Sequence, residues 1–206
     1  MAIIATGADL ATEAADMLAR ADLTARIPGF VQRAEAKFNR AIRTREMEVL
    51  DQAFAITGEY VPAPLGFLDW KSGYLNNATR TPISYMPDDT QGDWFKGLPT
   101  GCAPGRYVSM VGTNFHFAPV PSGTTSATII YRKALDSIAT GGTTFNWLLL
   151  AHPDIYLYGT LLEAAPHLGD DARVGLWTSA LERCMAALKQ ADSRSRFTNG
   201  LQVRVA

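Results

Sequence analysis

The chain has 206 residues, 47% of them hydrophobic and 19% charged, with a formal net charge of -1. That length supports one sizeable core, or a core plus an inserted subdomain, and the near-neutral balance supplies no overall drive toward nucleic acid or an anionic membrane. No apolar run approaches the ~20 residues that span a bilayer, and the opening MAIIATGADLATEAAD lacks the basic start and apolar length of a signal peptide, so the chain reads as soluble and cytosolic in origin.

Helical signals cluster at the two ends, and strand signals fill the middle. Asp9 is placed to cap a short helix running to Arg20, with Leu10, Ala14, Met17 and Leu18 on one face. Asp22 opens a turn into IPGFVQRAEAKFNRAIRTREM, where Pro28 suits the first helical position because its missing N–H would be unpaired there. Ile27, Phe30, Val31, Ala34, Phe38, Ala41 and Ile42 recur at helical spacing, which predicts an amphipathic helix of roughly four turns.

From about Met47 to Ile138 the period changes. EVLDQAFAITGEYVPAP, RYVSMVG, NFHFAPV and SATIIYRKAL are runs rich in β-branched and aromatic residues, separated by prolines and glycines that suit turns. VGTNFHF predicts a hairpin with Gly112, Thr113 and Asn114 at its tip. The stretch from Pro82 to Gly105 is expected to form a long surface loop.

Helix then returns. Asn146 caps the short turn NWLLLAH, and Pro153 restarts the chain as the first residue of a new helix. Ile155, Tyr158, Leu161, Leu162 and Ala165 mark its apolar face, which Leu157 widens, Gly169 its stop, and Asp170 the next N-cap. The last helix places Val174, Trp177, Leu181, Cys184, Met185 and Leu188 on one side, and both Phe38 and Trp177 are expected to be buried. The predicted architecture is α+β: a helical bundle built from the N- and C-terminal helices (residues 1–46 and 144–192), a β-rich insertion over residues 47–143, and an extended basic tail over residues 193–206.

Little in this sequence points to chemistry. Cys102 and Cys184 lie far apart with no CxxC pair, which argues against a disulfide framework or a zinc site. His152 and Asp154 flank Pro153 at a helix start, and His167 lies at that helix's C-terminal end. Capping and the helix dipole account for all three. The alternative is a small hydrolase using His152 and Asp154. Glu163 with Asp170 and Asp171 offers a paired-carboxylate set, but nothing in the spacing brings them together. The sequence contains no GxSxG, no phosphate-cradling GxxxxGKS/T and no GxGxxG opening a helix. No catalytic residue, cofactor or metal site is expected. His116, between Phe115 and Phe117 in a strand, points opposite to those rings and is expected at a surface or interface.

One pattern is less bland. Arg33, Lys37 and Arg40, with Arg43 and Arg45 nearby, line the polar side of the second helix. Arg194, Arg196 and Arg204 belong to a tail with no acid after Asp192, in which Leu201, Val203 and Val205 alternate with polar residues. The stripe is either a solvated face or a contact for an acidic partner or for nucleic-acid phosphates, so a DNA-binding module using Arg33 to Arg45 is a further alternative. The period-two tail, with Phe197 before it, suits a strand that adds to a partner's sheet edge.

ARADLTARIPGFVQRAEAKFNRAIRTREME, then YVPAPLGFLDW, FAPVP, IIYRKAL and NWLLLAHPDIYLYGTLLEAAPHLGDDARVGLW, together resemble the bacteriophage adaptor, or head-to-tail connector, proteins. The resemblance extends over nearly the whole chain, with the helical ends its most specific parts. It implies a non-catalytic virion protein, helical with a β-rich insertion, assembled in the host cytoplasm into a ring, usually of twelve copies, beneath the portal. Such a ring joins the DNA-filled head to the tail and surrounds the DNA exit channel. The implied partners are the portal protein, a tail nozzle or tube protein, further copies of the chain, and passing DNA without sequence specificity, with no membrane. The C-terminal tail of such adaptors reaches onto the portal or a neighbouring subunit, which here is Ser193 to Ala206. On this reading Arg33, Lys37, Arg40, Arg194, Arg196, Phe197, Leu201, Val203 and Arg204 form the partner or DNA-channel interface. The chain departs from the family pattern at PAPLGFLDW, with Gly66 where an acid is common, and in an expanded loop around Pro87 to Pro104.

Overall fold

Thr6, rather than Asp9, starts the first helix. In the computed structural model, which describes residues 4–86, 105–120, 123–139, 144–169 and 171–196, α1 spans Gly7–Leu18. The Asp9 N–H donates to Thr6 Oγ1 at 3.2 Å and the Thr6 N–H donates to Asp9 Oδ2 at 2.9 Å, a reciprocal capping box. Thr6 thereby holds the Asp9 carboxyl below its usual range. The helix ends early because Ala19 turns to the left-handed region at φ 53.

Two compact units follow from the chain path, Met1–Glu46 with Leu135–Ala206, and Met47–Ala134. In the helical unit, α2 (Ile27–Ala41) carries proline in its first turn and buries Ile27, Phe30, Val31, Ala34 and Phe38, as its spacing predicts. Asn146 Oδ1 accepts from the Leu149 N–H at 3.0 Å and caps α3 (Trp147–Ala151); Pro153 then opens α4 (Pro153–Ala164). A last helix, α5 (Arg173–Arg196), follows the left-handed stop at Gly169, φ +67. It runs on through residues 193–196, so the first four positions of the expected tail are its final turn. Asp170 and residues 197–206 lie outside the described residues.

The apolar face expected for α4 understates its burial. Tyr156, Gly159, Thr160 and Glu163 are buried along with the expected Ile155, Leu157 and Leu161, so water reaches little of the helix. A helix enclosed on most sides is the centre of its unit, and α1, α2 and α5 all pack on it. Close approach to α2 depends on Gly159, where a Cβ would lie 2.4 Å from Phe38 Cζ. Phe38 meets Tyr156 edge-on at 5.4 Å, and it is 3% exposed; Trp177 is 2% exposed, so both expected core aromatics are buried.

The middle of the chain corrects the predicted fold class. It is not a minor insertion in a helical bundle but a seven-stranded sheet with its own core. The strands are β1 (Glu48–Ile56), β2 (Tyr60–Pro62), β3 (Phe67–Leu75), β4 (Pro82–Tyr85), β5 (Tyr107–Val111), β6 (Asn114–Ala118) and β7 (Thr125–Lys133), paired in the order β1-β7-β3-β4-β5-β6-β2. β5 and β6 form the expected hairpin, closed at Gly112 and Thr113, with Gly112 at φ +60. β3 and β4 were not legible as strands. Register shifts at Phe67/Asp69 and Trp70/Ser72 break the alternation of β3. β4 is four residues long, begins at a proline, and falls in the stretch expected to be loop; residues 87–104 of that stretch lie outside the described residues.

β4 is where the sheet turns. Its first half pairs antiparallel with β3 and its second half parallel with β5. The curl brings Phe54 of β1 to 5.8 Å from Phe115 of β6, five places away in strand order. Phe67 and Trp70 also meet Phe115 edge-on, at 4.9 and 5.6 Å. The result is an open half-barrel curled round a core of mixed aromatic and aliphatic side chains. His116 does point away from those rings, yet it is buried rather than at a surface, stacked on Tyr60 at 4.6 Å with Nε2 3.2 Å from Glu59 Oε1.

Gly159→Ala is expected to destabilise the chain by about 1–3 kcal/mol, the usual cost of overpacking. Adding Phe38→Leu should recover part of that loss, since the clash is with the ring. Urea denaturation of the two variants checks this; equal midpoints for Gly159→Ala and the parent would show that α2 and α4 do not approach through this glycine.

Candidate functional site

The proposed hydrolase centre does not assemble. Asp154 Oδ1 accepts from its neighbouring Ile155 N–H at 2.9 Å, a helix-start contact. The Cys184 thiol also bonds Asp154, and burial, followed by that bond, pushes its pKa up to about 11. A thiol so protonated is a poor nucleophile. His152 is half-buried at the α3–α4 junction with no side-chain cap bond. His167 lies elsewhere, its ring 5.5 Å from that of Phe30. Among the described residues no group of three or more His, Cys, Asp or Glu is arranged to hold a metal ion.

The carboxylates also separate. Glu163 projects from α4 toward α2, whereas Asp171 is bound by Arg173, whose hydrogen bonds hold its carboxyl below the usual range. Arg173 Nη1 also donates to the Met17 carbonyl at 2.9 Å and so closes the end of α1.

Glu163 changes the meaning of the basic stripe. Arg33 Nε lies 3.2 Å from Glu163 Oε2, and Lys37 Nζ lies 2.5 Å from Oε1. The carboxylate is 9% exposed while its two partners are 52% and 64% exposed, so the cations cover an acid that would otherwise be stranded. Arg33 also stands over the Phe30 ring at 5.0 Å. Arg43 Nη1 donates to the Asn39 and Ile42 carbonyls at 2.6 and 2.7 Å, closing the end of α2. Arg40 is exposed. Arg33, Lys37 and Arg40 minus Glu163 leave a net +2 where the sequence suggested +3. Arg194 is exposed on the last turn of α5; the side chain of Arg196, and Phe197, Leu201, Val203 and Arg204 altogether, lie outside the described residues.

Sequence reasoning missed a second acid. Glu35 is 4% exposed on the inner side of α2. Ser137 Oγ donates to its Oε2 at 2.6 Å, the Ile138 N–H to Oε1 at 2.9 Å, and the Tyr156 hydroxyl to Oε1 at 3.3 Å. Asn146 Nδ2 in turn donates to the Tyr156 oxygen at 2.6 Å and to the Asp136 carbonyl at 2.8 Å. Burial holds the Tyr156 phenol far above its ordinary pKa, so it remains a donor. The arrangement is structural: every group bonds protein, and α2, α4, the α3 cap and residues 136–138 are fixed together. The available signal was a single glutamate in the apolar row Val31, Glu35, Phe38, Ile42.

Glu35→Gln is expected to cost about 1–3 kcal/mol, because the amide cannot accept all three donors and places its own N–H₂ against one of them. Tyr156→Phe should cost less, and the pair should be non-additive in a double-mutant cycle followed by urea denaturation. Strict additivity would mean that the two side chains do not share a network.

Comparison with known proteins bears on the whole chain. No curated protein matches it. The family model described as SU10 adaptor protein matches residues 5–204. A match of that extent takes in all five helices and all seven strands of the described residues. This chain, with no assembled catalytic constellation among its described residues, belongs to the SU10 adaptor protein family of phage head–tail adaptors.

Proposed function

We propose that the chain is the repeating subunit of a ring beneath the portal, joining the capsid to the tail and surrounding the channel through which DNA leaves. The observation that carries this reading is the extent of the family match, residues 5–204, which includes both compact units. The partners are the portal protein, a tail nozzle or tube protein, and further copies of the chain in a twelve-membered ring. Heterologous contacts that close on themselves build such rings. The protein is non-catalytic, and acts at the head–tail interface of the virion after assembly in the host cytoplasm.

Passing DNA is met without sequence preference. The net +2 of Arg33, Lys37 and Arg40 against Glu163 supports weak, salt-screened contact with phosphates rather than a tight site. A free-standing DNA-binding module is less well supported for the same reason, and the hydrolase reading because Asp154 is bonded to a protonated thiol. Residues 197–206, beyond the end of α5, are assigned to docking on the portal or an adjacent subunit, with Phe197, Leu201 and Val203 as apolar contacts and Arg204 facing an acidic surface.

Mixing purified chain with purified portal should give a twelve-fold ring on the portal by electron microscopy, with a matching mass by native mass spectrometry. A portal that stays bare at micromolar adaptor would refute the ring. Deleting Phe197 to Ala206 is expected to leave the melting temperature nearly unchanged and to abolish joining to portal-bearing heads. Normal docking, or outright unfolding, would remove the tail from this scheme.

A further inference from the structure

The turn between β2 and β3 holds a leucine in water. Leu65 is 93% exposed, against 65% for Leu176, the next most exposed large hydrophobic residue described. Single exposed leucines are ordinary. This one is distinguished by how firmly it is held. The Phe67 N–H donates to the Pro64 carbonyl at 3.0 Å, closing a four-residue turn, and Gly66 has the φ of +76 that the third position of a type II turn requires. On one side the Ala63 N–H donates to the Thr113 carbonyl at 3.0 Å, and on the other the Ala134 N–H donates to the Gly66 carbonyl at 2.7 Å. Pro62 and Pro64 restrict the backbone further. A side chain presented on so rigid a turn loses little conformational freedom when it is captured, which is the condition for an anchor.

The helical unit contains a hole of the right kind. Between α2, α4 and α5 lies a cavity of about 140 Å³ walled by Ala34, Phe38, Ala41, Leu162, Leu181 and Met185. Gly159, covered on one side by the Phe38 ring, also lines it. Lys37 and Glu163 stand beside it as an ion pair. Apolar cavities of about 150 Å³ accept a benzene-sized guest, so one isobutyl group fits. An apolar centre with a charged edge is also the usual anatomy of a site that captures one anchor side chain.

We propose that Leu65 of one copy inserts into this cavity on the next copy. Knob and hole are different surfaces of one chain, so each copy gives one and receives one. Contacts of that heterologous kind propagate until they close. The inference rests on the ring reading above and supplies a residue pair for it.

The test uses portal-bound rings built from an equal mixture of isotopically light and heavy full-length chains, with the leucine-sized diazirine amino acid photo-leucine at position 65. Mixed-isotope crosslinks from position 65 to the peptides that contain Leu181 or Met185 are expected. Two variants read the same contact without the probe. Leu65→Asp and Ala41→Trp change exposed positions, so both should melt like the parent, yet each should lower the assembled fraction about tenfold at fixed concentration, the loss expected on removing or blocking an anchor. Crosslinks confined to one isotope, crosslinks to a portal or tail chain, or normal rings from both variants overturn the contact and leave the ring standing. A parent chain that forms no ring overturns the ring and this contact together.

Discussion

A carboxylate buried in an apolar row sets the terms for the helical unit. Glu35 shares its side of α2 with Val31, Phe38 and Ile42, all buried. A charge in that position is tolerable only when hydrogen bonds replace its water. Its donors come from Ser137, Ile138 and Tyr156, each more than a hundred positions further along the chain. The second helix therefore cannot settle its own burial locally. It needs the chain to come back, and it specifies which backbone and side-chain groups must arrive.

The same logic governs the points where the chain leaves and re-enters this unit. The Leu135 N–H donates to Asn39 Oδ1 at 2.8 Å, and the Arg45 N–H donates to Asp192 Oδ1 at 2.9 Å. Irregular backbone at such crossings has no ladder to satisfy its polar groups, so helix side chains do it instead. The described residues of the unit Met47–Ala134 are left free to organise round Phe115, whose ring meets Phe54, Phe67 and Trp70. Each unit thus has its own hydrophobic centre, so the helical part of the sequence can be interrupted by the sheet-forming part without losing its core.

What the sequence disclosed follows from how each element meets water. α2 has one wet and one dry side, so its stripe was readable, and Phe38 and Trp177 lie buried where their stripes put them. Asn146 and Pro153 mark helix starts through local chemistry alone, and they do so in the structure. α4 is dry nearly all round, so its period carried little information. β3 was hidden by bulges that displace Leu68 and Lys71 from a simple alternation, and β4 by its brevity and its proline. The size of the sheet was lost with them, and with it the fold class. Glu163 could not be paired with Arg33 from one sequence, because 130 positions separate them.

That last pairing bears on what kind of surface this adaptor presents. Three free cations in a row would attract any polyanion, and such attraction is long-ranged and indiscriminate. With Glu163 neutralising one of the three a net +2 remains, and exposed charge beyond about 8 Å is screened at physiological ionic strength. Electrostatics of that strength steer an approach but do not select a partner. Selection then falls to features with fixed shape, such as the turn held by two prolines and three backbone hydrogen bonds on the sheet and the cleft between α2, α4 and α5. Gly66 fits this division, since its left-handed φ of +76 serves backbone shape and adds no charge.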